Sequence, residues 1–269
     1  MLAELLLSTM VRCEPAARQL GYGRAQVGLW SRSRRCAKAW APHHAESRAF
    51  VESLLSDLPQ GGTAWVLGAG LLDDLPLQAL SAKFDRVLLA DIAWLPMQLW
   101  RLKRFPNLEA RQFDVSGLVP AMLEWRPGKP LPEPQPEALL ALDAARPNLV
   151  LSLNLLSQLP LLPLEKLERA GQSFVMRQAY GRRIVAAHLA GLRLLDCRVG
   201  LVSEQRRIFR NRAGEVVMSE SALFDVTPPV AEKEWGWNLA PLGEIDNQTA
   251  LELRVFASRD LGRDLSITP

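Results

Sequence analysis

Short apolar runs that end in glycine or polar residues recur through the first 160 residues of the chain. They occupy residues 64–67, 87–90, 108–115 and 148–153. Their length and bounding turn residues predict strands, and an unbroken apolar run such as 148–153 is typical of a strand buried on both faces. The residues at their carboxyl ends are Gly68 with Gly70, Asp91, Asp114 and Asn154.

The residues between the first three runs have the spacing of apolar positions that is typical of helices. Asp73 or Asp74 is predicted to cap a helix that reaches about Lys83, and a second helix is predicted over 95–104. Strand, helix and following strand form a βαβ unit. The strands are therefore expected to be parallel, with right-handed crossovers.

Helices are also predicted ahead of the first strand. Ser31 is expected to cap a short helix through Trp40, and Pro42 to lie in the first turn of the next helix. Residues 1–60 are therefore predicted to form an N-terminal helical cap, and residues 61–269 the larger α/β domain.

A proline-rich insertion separates the two halves of the predicted sheet. The five prolines between residues 127 and 136 exclude a helix or an interior strand there and predict an extended surface segment, within an insertion at about 119–147. It is interpreted as a stiff spacer, with docking into a partner's aromatic groove as the alternative.

The last third of the chain predicts antiparallel structure after two more helices. A helix runs from Pro163 through Arg169, and a longer one places His188 on its apolar side. Strand-like runs follow at 196–203, 206–210, 216–224 and 251–257, with a hairpin turn at 211–214. The predicted fold class is α/β, mostly parallel, with antiparallel C-terminal strands.

Composition and charge limit the class of protein, but they identify no partner. With 269 residues and 48% hydrophobic content, the chain can bury one large core. The cysteines Cys13, Cys36 and Cys197 are too scattered for a disulfide framework or a metal site, so reduced thiols in a cytoplasmic, soluble protein are expected, with no metal. Net charge is only +3, and the basic stretch from Arg12 to Arg48 is interpreted as a solvated face, or as a site for an anionic ligand.

The glycines after the first strand and the acid after the second predict a nucleotide-type cofactor crevice. Asp91 lies 21 residues after Gly70, where a carboxylate can accept hydrogen bonds from a ribose diol. A dinucleotide fingerprint needs a further glycine where this chain has Asp73, and that carboxylate beside Asp74 would repel a diphosphate. The pattern therefore favours a phosphate-free adenosine cofactor, S-adenosylmethionine.

These motifs resemble the class I S-adenosylmethionine-dependent methyltransferase superfamily, including a poorly characterised bacterial subgroup. The resemblance covers residues 63–161 by motif, and the pattern at 235–244 adds to it. It implies a Rossmann-like sheet of seven strands with the last antiparallel. Two departures are Val66, where the family usually has an acid, and Leu72, where it usually has a glycine.

The resemblance also implies a role for each residue of the motifs. Gly68, Ala69 and Gly70 would form the cofactor loop, Asp91 the ribose ligand and Asp114 the adenine-side ligand. Asn154, Ser157 and Gln158 would line the loop that faces cofactor and substrate. Asp114 as a simple turn cap, and Asn154 and Ser157 as ordinary turn formers, are the alternatives.

Aromatic residues give further candidates for the cofactor site. Trp94, just past Asp91, is a candidate for adenine contact. Trp235 and Trp237, in a stretch predicted to be loop, are expected to anchor the C-terminal region, with stacking on a flat ligand as the alternative.

Histidines are the candidates for catalysis, because methyl transfer from a sulfonium needs orientation and at most proton removal. His43 and His44 would lie near the cofactor if the N-terminal segment covers the crevice, and either could act as a base. The alternative for both is a packed or exposed helix-start histidine. His188 is interpreted as a core histidine, and Tyr180 and Glu204 are candidates without a positional argument.

Taken together, the sequence predicts methyl transfer from S-adenosylmethionine to an unidentified acceptor. A small molecule or a protein is expected, a nucleic acid stays open, and no membrane contact is expected. The alternatives are a non-catalytic methyltransferase-like module that binds a partner and, as a third choice, an NAD(P)-dependent oxidoreductase.

Overall fold

A central sheet with helices on both faces makes up most of the structure. The computed structural model describes residues 2–259 and residue 261. The helices are α1 (Leu2–Met10), α2 (Pro15–Leu20), α3 (Tyr22–Arg35), α4 (Ala37–Ser56), α5 (Leu77–Lys83), α6 (Pro96–Leu102), α7 (Val119–Glu124), α8 (Leu161–Arg169) and α9 (Phe174–Arg193). The strands are β1 (Arg12–Cys13), β2 (Thr63–Leu67), β3 (Arg86–Asp91), β4 (Ala93–Trp94), β5 (Leu108–Gln112), β6 (Leu149–Leu153), β7 (Arg198–Arg210), β8 (Val216–Ser221), β9 (Lys233–Ala240) and β10 (Ala250–Arg259).

The strand order confirms the Rossmann-like fold predicted from the sequence. Along the sheet the order is β5-β3-β2-β6-β7-β10-β9, and β8 pairs with the far half of β7. The first five strands of that order are parallel. The last strand, β10, is antiparallel to both β7 and β9. The chain order reverses direction between β2 and β6, which is where open α/β sheets bind ligands.

Burial explains why the central strands are continuous apolar runs. All five residues of β6 are buried, and β2 is buried except at Thr63. One core cluster lies between the sheet and α4 and α5, and a second lies between the opposite face and α9. A strand covered on both faces favours apolar side chains, and the polar side chain within β6, Ser152, is hydrogen-bonded to His188.

The helices before β2 differ from the prediction. Ser31 lies inside α3 and caps nothing, and α4 starts at Ala37, so that Pro42 is its sixth residue rather than part of a first turn. Pro42 therefore lies inside the helix, where it has no N–H to donate to the Lys38 carbonyl one turn earlier. Leu54 of α4 packs against Gly200, so α4 belongs to the main core as well as to the predicted cap.

Two corrections concern the segments after β2 and after α7. The helix expected to start at Asp73 or Asp74 begins at Leu77, because the chain first makes turns in which Leu72 has a φ of 67°. The proline-rich insertion is extended only in part. It begins with α7 and ends in a 3-10 helix at Pro136–Ala141, whose first residue needs no N–H donor.

Two further corrections concern the C-terminal strands. The runs at 196–203 and 206–210 form the single strand β7, which continues through a bulge where its pairing with β10 skips Gln205. The stretch around Trp235 and Trp237 is strand β9 rather than loop. Its alternation of buried tryptophan with exposed Gly236 and Asn238 is the period-two signal of a half-buried strand.

The proline-rich segment packs on helix α9 of the same chain. Tyr180 donates its hydroxyl to the Pro132 carbonyl at 2.8 Å, and Arg183 pairs with Glu133. A Cβ placed on Gly191 would lie 2.4 Å from the Pro136 carbonyl oxygen. These contacts show that the insertion packs against its own domain. Among the described residues, no helix has the length and hydrophobicity to cross a lipid bilayer.

Replacing Gly191 with alanine should therefore destabilise the protein. The methyl group must displace the backbone at Pro136, so we expect a loss of about 1–3 kcal/mol in the free energy of unfolding, measured by urea denaturation. Gly28→Ala is the matched control, because Gly28 also lies within a helix but a methyl group there would meet no neighbouring element within 4 Å. There alanine should stabilise by about 0.5–1 kcal/mol. Equal effects of the two substitutions would contradict the packing of the insertion on α9.

Candidate functional site

The loop after β2 is fixed by backbone contacts that only glycine allows. Gly68 and Gly70 have φ values of 74° and 52°, in the left-handed region. A Cβ on Gly68 would lie 2.9 Å from the Leu153 carbonyl oxygen, so β6 and the loop touch through backbone. The N–H groups of Gly68 and Ala69 both donate to the Ala90 carbonyl of β3. The loop is thus attached to both neighbouring strands.

Asp91 at the end of β3 completes this attachment. Its Oδ2 accepts a hydrogen bond from the Gly70 N–H at 2.7 Å, and its Oδ1 accepts one from the Ala93 N–H at 3.3 Å. Burial raises the pKa of this carboxyl to about 6, although both backbone donors act to lower it. The residue is still partly exposed, and a carboxylate has lone pairs left to accept further hydrogen bonds.

The N-terminal segment contacts the glycine loop and the residues after Asp91. Strand β1 pairs with β4 directly after Asp91, and α3 lies over the loop. Gln26 of α3 donates its amide to the Gly70 carbonyl at 3.4 Å, and Gln98 of α6 donates to the same oxygen. Burial, with the charge of Asp114 nearby, raises the pKa of Tyr22 well above its usual range. These contacts place α3 against the glycine loop and the carboxyl ends of β3 and β5.

Asp114 lies at the same edge of the sheet and caps the start of α7. Its Oδ1 accepts from the Ser116 N–H and hydroxyl, and its Oδ2 accepts from the Val119 N–H at 2.8 Å. In the structure this carboxylate acts as a turn cap, the alternative role given for Asp114 in the sequence analysis. It remains partly exposed beside Phe113.

Two predicted ligands point away from the crevice. The Asp73 carboxylate pairs with Arg101 at 2.9 Å and is 43% exposed, because the turn before α5 directs it to the surface. Trp94 is 1% exposed within the core and donates its indole N–H to the Arg111 carbonyl. The paired repulsion expected from Asp73 and Asp74 therefore does not operate, since only Asp74 turns inward.

Asp74, itself partly exposed, belongs to a polar cluster at the carboxyl end of β6 whose other members, His43 and Asn154, are buried. Asn154 has a φ of 49°, which turns the chain sharply after the strand. Its Nδ2 lies 2.6 Å from Asp74 Oδ2 and 3.2 Å from His43 Nε2. Trp235 of β9 donates its indole N–H to His43 Nδ1 at 3.0 Å. The cluster thus connects α4, β9 and the loops after β2 and β6.

The two candidate histidines differ in their access to solvent. His43 is 1% exposed and stacks on Trp237 with ring centroids 3.9 Å apart, and burial lowers its pKa to about 3. A base this weak is poorly matched to neutral pH. His44 is partly exposed, and its pKa is lowered by burial while the Asp74 charge opposes the shift.

Ser157 is hydrogen-bonded to a buried acid, Glu204, to which the sequence analysis assigned no position. Its hydroxyl donates to Glu204 Oε2, while Glu204 Oε1 has no partner and the residue is 1% exposed. Burial raises the Glu204 pKa. A glutamate within a strand that is otherwise buried was the available signal, but the prediction of two separate strands put Glu204 in the gap between them.

The remaining candidates have structural roles. His188 is 5% exposed, its Nε2 lies 3.0 Å from Ser152 Oγ, and burial lowers its pKa to about 4. It is the core histidine that the sequence indicated. Tyr180 holds the proline-rich segment, and Gln158 donates to the Asn154 carbonyl.

Several solved structures that are similar to this chain are methyltransferases. The chain is 14% identical to the 1,6-didemethyltoxoflavin N1-methyltransferase of Burkholderia thailandensis, crystallised with S-adenosylhomocysteine, with 86% of each chain covered and a TM-score of 0.39. It is 10% identical to an N-methyltransferase of Bradyrhizobium japonicum, with 80% of this chain and 86% of that chain covered and a TM-score of 0.35. A putative S-adenosylmethionine-dependent methyltransferase of Listeria monocytogenes is 12% identical, with coverage of 80% and 99% and a TM-score of 0.30.

Neither of the other two comparisons identifies a relative. No protein-family model matches the chain, and no curated protein matches it. Identities and TM-scores this low do not assign an activity. The proposed function therefore depends on the strand order and on the contacts at the carboxyl edge of the sheet.

The raised pKa of Asp91 predicts how stability depends on pH. Its folded pKa of about 6 exceeds the unfolded value of 3.8, so the folded protein binds more protons between these values and loses stability as pH rises through them. Asp91→Asn should remove that loss. We expect it to match the wild type near pH 4 and to exceed it by about 1–3 kcal/mol at pH 8, in urea denaturation.

Asp73→Asn is the control for this measurement. Its carboxylate makes an exposed ion pair with Arg101, so the change in stability should stay below about 1 kcal/mol at both pH values. A loss of stability at pH 8 in Asp91→Asn would show that the ionised carboxylate is needed to hold the loop.

Proposed function

We propose that the protein transfers a methyl group from S-adenosylmethionine to an acceptor that is still unidentified. The observation that carries the proposal is the 2.7 Å hydrogen bond from the Gly70 N–H to Asp91, at the point where the strand order reverses. This contact puts a glycine loop and a solvent-reachable carboxylate side by side at the carboxyl edge of the sheet, where a ribose diol can be recognised.

The residues present fit an adenosine cofactor without phosphate. Asp91 would accept from the ribose, and the loop of Gly68 to Gly70 would contact the rest of the ligand by its backbone. Ile92 and Phe113, both partly exposed apolar residues beside the acids, would flank the adenine, with Asp114 at its edge. The loop that carries Asn154 and Ser157 would face the acceptor, although both side chains are buried and bonded to Asp74 and Glu204. S-adenosylmethionine supplies an activated methyl group on a sulfonium.

The chain's own contribution would be to orient the reactants and exclude water. Helix α3 and the β1–β4 pair cover the crevice and would shield the cofactor from solvent. His44, partly exposed and close to Asp74, is better suited to accept a proton from the acceptor than the buried His43. His43 would instead hold Asn154 in place.

A non-catalytic binding module is the second candidate, and one observation favours it. The Gly70 carbonyl already accepts hydrogen bonds from both Gln26 and Gln98, so the cap satisfies the loop without a ligand. The basic stretch that such a module would use is partly neutralised, because Arg32 and Arg35 both pair with Glu244.

The oxidoreductase alternative is disfavoured on different grounds from those of the sequence. The glycine loop does not lead into a helix N-terminus, since α5 begins seven residues after Gly70. A diphosphate at the loop would lack the N–H groups and dipole that usually bind it.

Calorimetry tests the proposal directly. S-adenosylmethionine and S-adenosylhomocysteine should bind the wild type, and Asp91→Ala should lower the affinity at least about 100-fold by removing two ribose hydrogen bonds. Asp73→Ala is the matched control and should bind within about threefold of the wild type, because Asp73 faces Arg101.

Two outcomes would contradict the proposal. Binding of NAD without binding of S-adenosylmethionine would favour the oxidoreductase. Tight cofactor binding with no radioactive methyl transfer to any component of a cell extract would favour the binding module.

A further inference from the structure

The two ring nitrogens of His43 both face groups placed as hydrogen-bond donors. The indole N–H of Trp235 points at Nδ1, and an indole nitrogen can only donate. Nδ1 therefore accepts, and the ring proton of a neutral imidazole must lie on Nε2. That N–H faces the side-chain amide of Asn154 at 3.2 Å.

This tautomer determines which way the Asn154 amide points. An Nε2–H needs an acceptor, so the amide must present Oδ1 to His43, in the position where Nδ2 is placed. With Nδ2 in that position, Oδ1 is buried without a partner. Rotating the amide by 180° gives Oδ1 a donor and leaves the NH₂ group as the unpartnered end.

The rotated amide in turn constrains Asp74. Asp74 Oδ2 lies 2.6 Å from the same amide position, which the rotation fills with an oxygen. Two oxygens approach this closely only when one carries a proton, and 2.6 Å is a short O–H···O distance. Asp74 must then be the donor. Burial also raises the pKa of this carboxyl, in the same direction.

Other charged groups surround Asp74 on each side. His44 of α4 lies close enough to favour its ionised form, whereas the neighbouring Asp73 and, from β3, Asp91 disfavour it. Arg48 of α4 donates to the backbone carbonyl of Asp73 rather than to either carboxylate. The charges that act on Asp74 are thus two acids, which favour its neutral form, and a half-buried histidine, which favours its ionised form.

We propose that Asp74 is a neutral carboxylic acid in the unliganded protein and that a cationic ligand in the crevice displaces its proton. The inference deepens the proposed function, on which its second half rests. On binding, the Asp74 O–H bond breaks, the proton passes to solvent, and the carboxylate remains opposite the cation. The ionised carboxylate must then separate from Asn154 Oδ1, because the two oxygens no longer share a proton.

The first test reads the tautomer of His43 in the wild type without any ligand. Nitrogen-15 NMR should show a neutral ring with the proton on Nε2 and Nδ1 accepting, from pH 5.5 to 8. Trp235→Phe should release Nδ1 and change that signal. A proton on Nδ1, or a doubly protonated ring, would overturn the inference, since the Asn154 amide would then have no reason to rotate.

The second test counts protons by calorimetry in buffers of different ionisation enthalpy. At pH 7 the wild type should release close to one proton per S-adenosylmethionine, and fewer for S-adenosylhomocysteine, which lacks the sulfonium charge. Asp74→Asn mimics the neutral acid, and it should fold and bind yet release none. An equal proton count in the wild type and Asp74→Asn would overturn the inference.

Failure of the inference is distinguishable from failure of the proposed function. If S-adenosylmethionine does not bind at all, the proposed function fails and the second half of the inference fails with it, while the His43 signal still decides the first half. If it binds without release of a proton from Asp74, only the inference fails.

Discussion

The hydrogen bond between the Gly70 N–H and the Asp91 carboxylate is the contact on which the rest of the candidate site depends. It joins the loop after β2 to the end of β3 and fixes a carboxylate at the carboxyl edge of the sheet. The cost is a partly buried acid whose pKa is raised to about 6 by desolvation. A fold that keeps a carboxyl group where its ionised form is disfavoured is typical of a functional site rather than of a structural ion pair.

A second constraint is the left-handed turn at Asn154, which gathers groups from distant parts of the chain. His43 comes from α4 and Trp235 from β9, which lie 192 residues apart in the sequence; Trp235 bonds to His43, and His43 contacts Asn154 at the turn after β6. The helix α4 makes this possible because it crosses the sheet with its amino end at the carboxyl edge. The N-terminal helices are therefore part of the site and not only a cover.

Local patterns predicted the fold well where burial alone determines the element. The continuous apolar runs became the central parallel strands, and Gly68, Gly70 and Asp91 lie together as their spacing indicated. The long amphipathic helix became α9, with His188 in the core. In these cases one local signal, the hydrophobic period or a turn residue, is sufficient to predict the element.

Predictions that depend on side-chain direction could not be made from spacing alone. Asp73 and Asp74 are neighbours in sequence, yet one pairs with Arg101 and the other with Asn154, because the turn before α5 separates their directions. Trp94 follows Asp91 by three residues but packs inside the core. Glu204 was named as a candidate but could not be placed, because the bulge at Gln205 lets one strand continue where the pattern predicted a break.

A crystal structure with S-adenosylhomocysteine would show whether Asp91 and the glycine loop form a preorganised adenosine site. Both ribose hydroxyls should lie within about 3.2 Å of the Asp91 carboxylate oxygens, with the Gly70 N–H still bonded to Asp91. A ligand bound elsewhere, or a loop that must break this bond to admit the ribose, would show that the site is not built for adenosine.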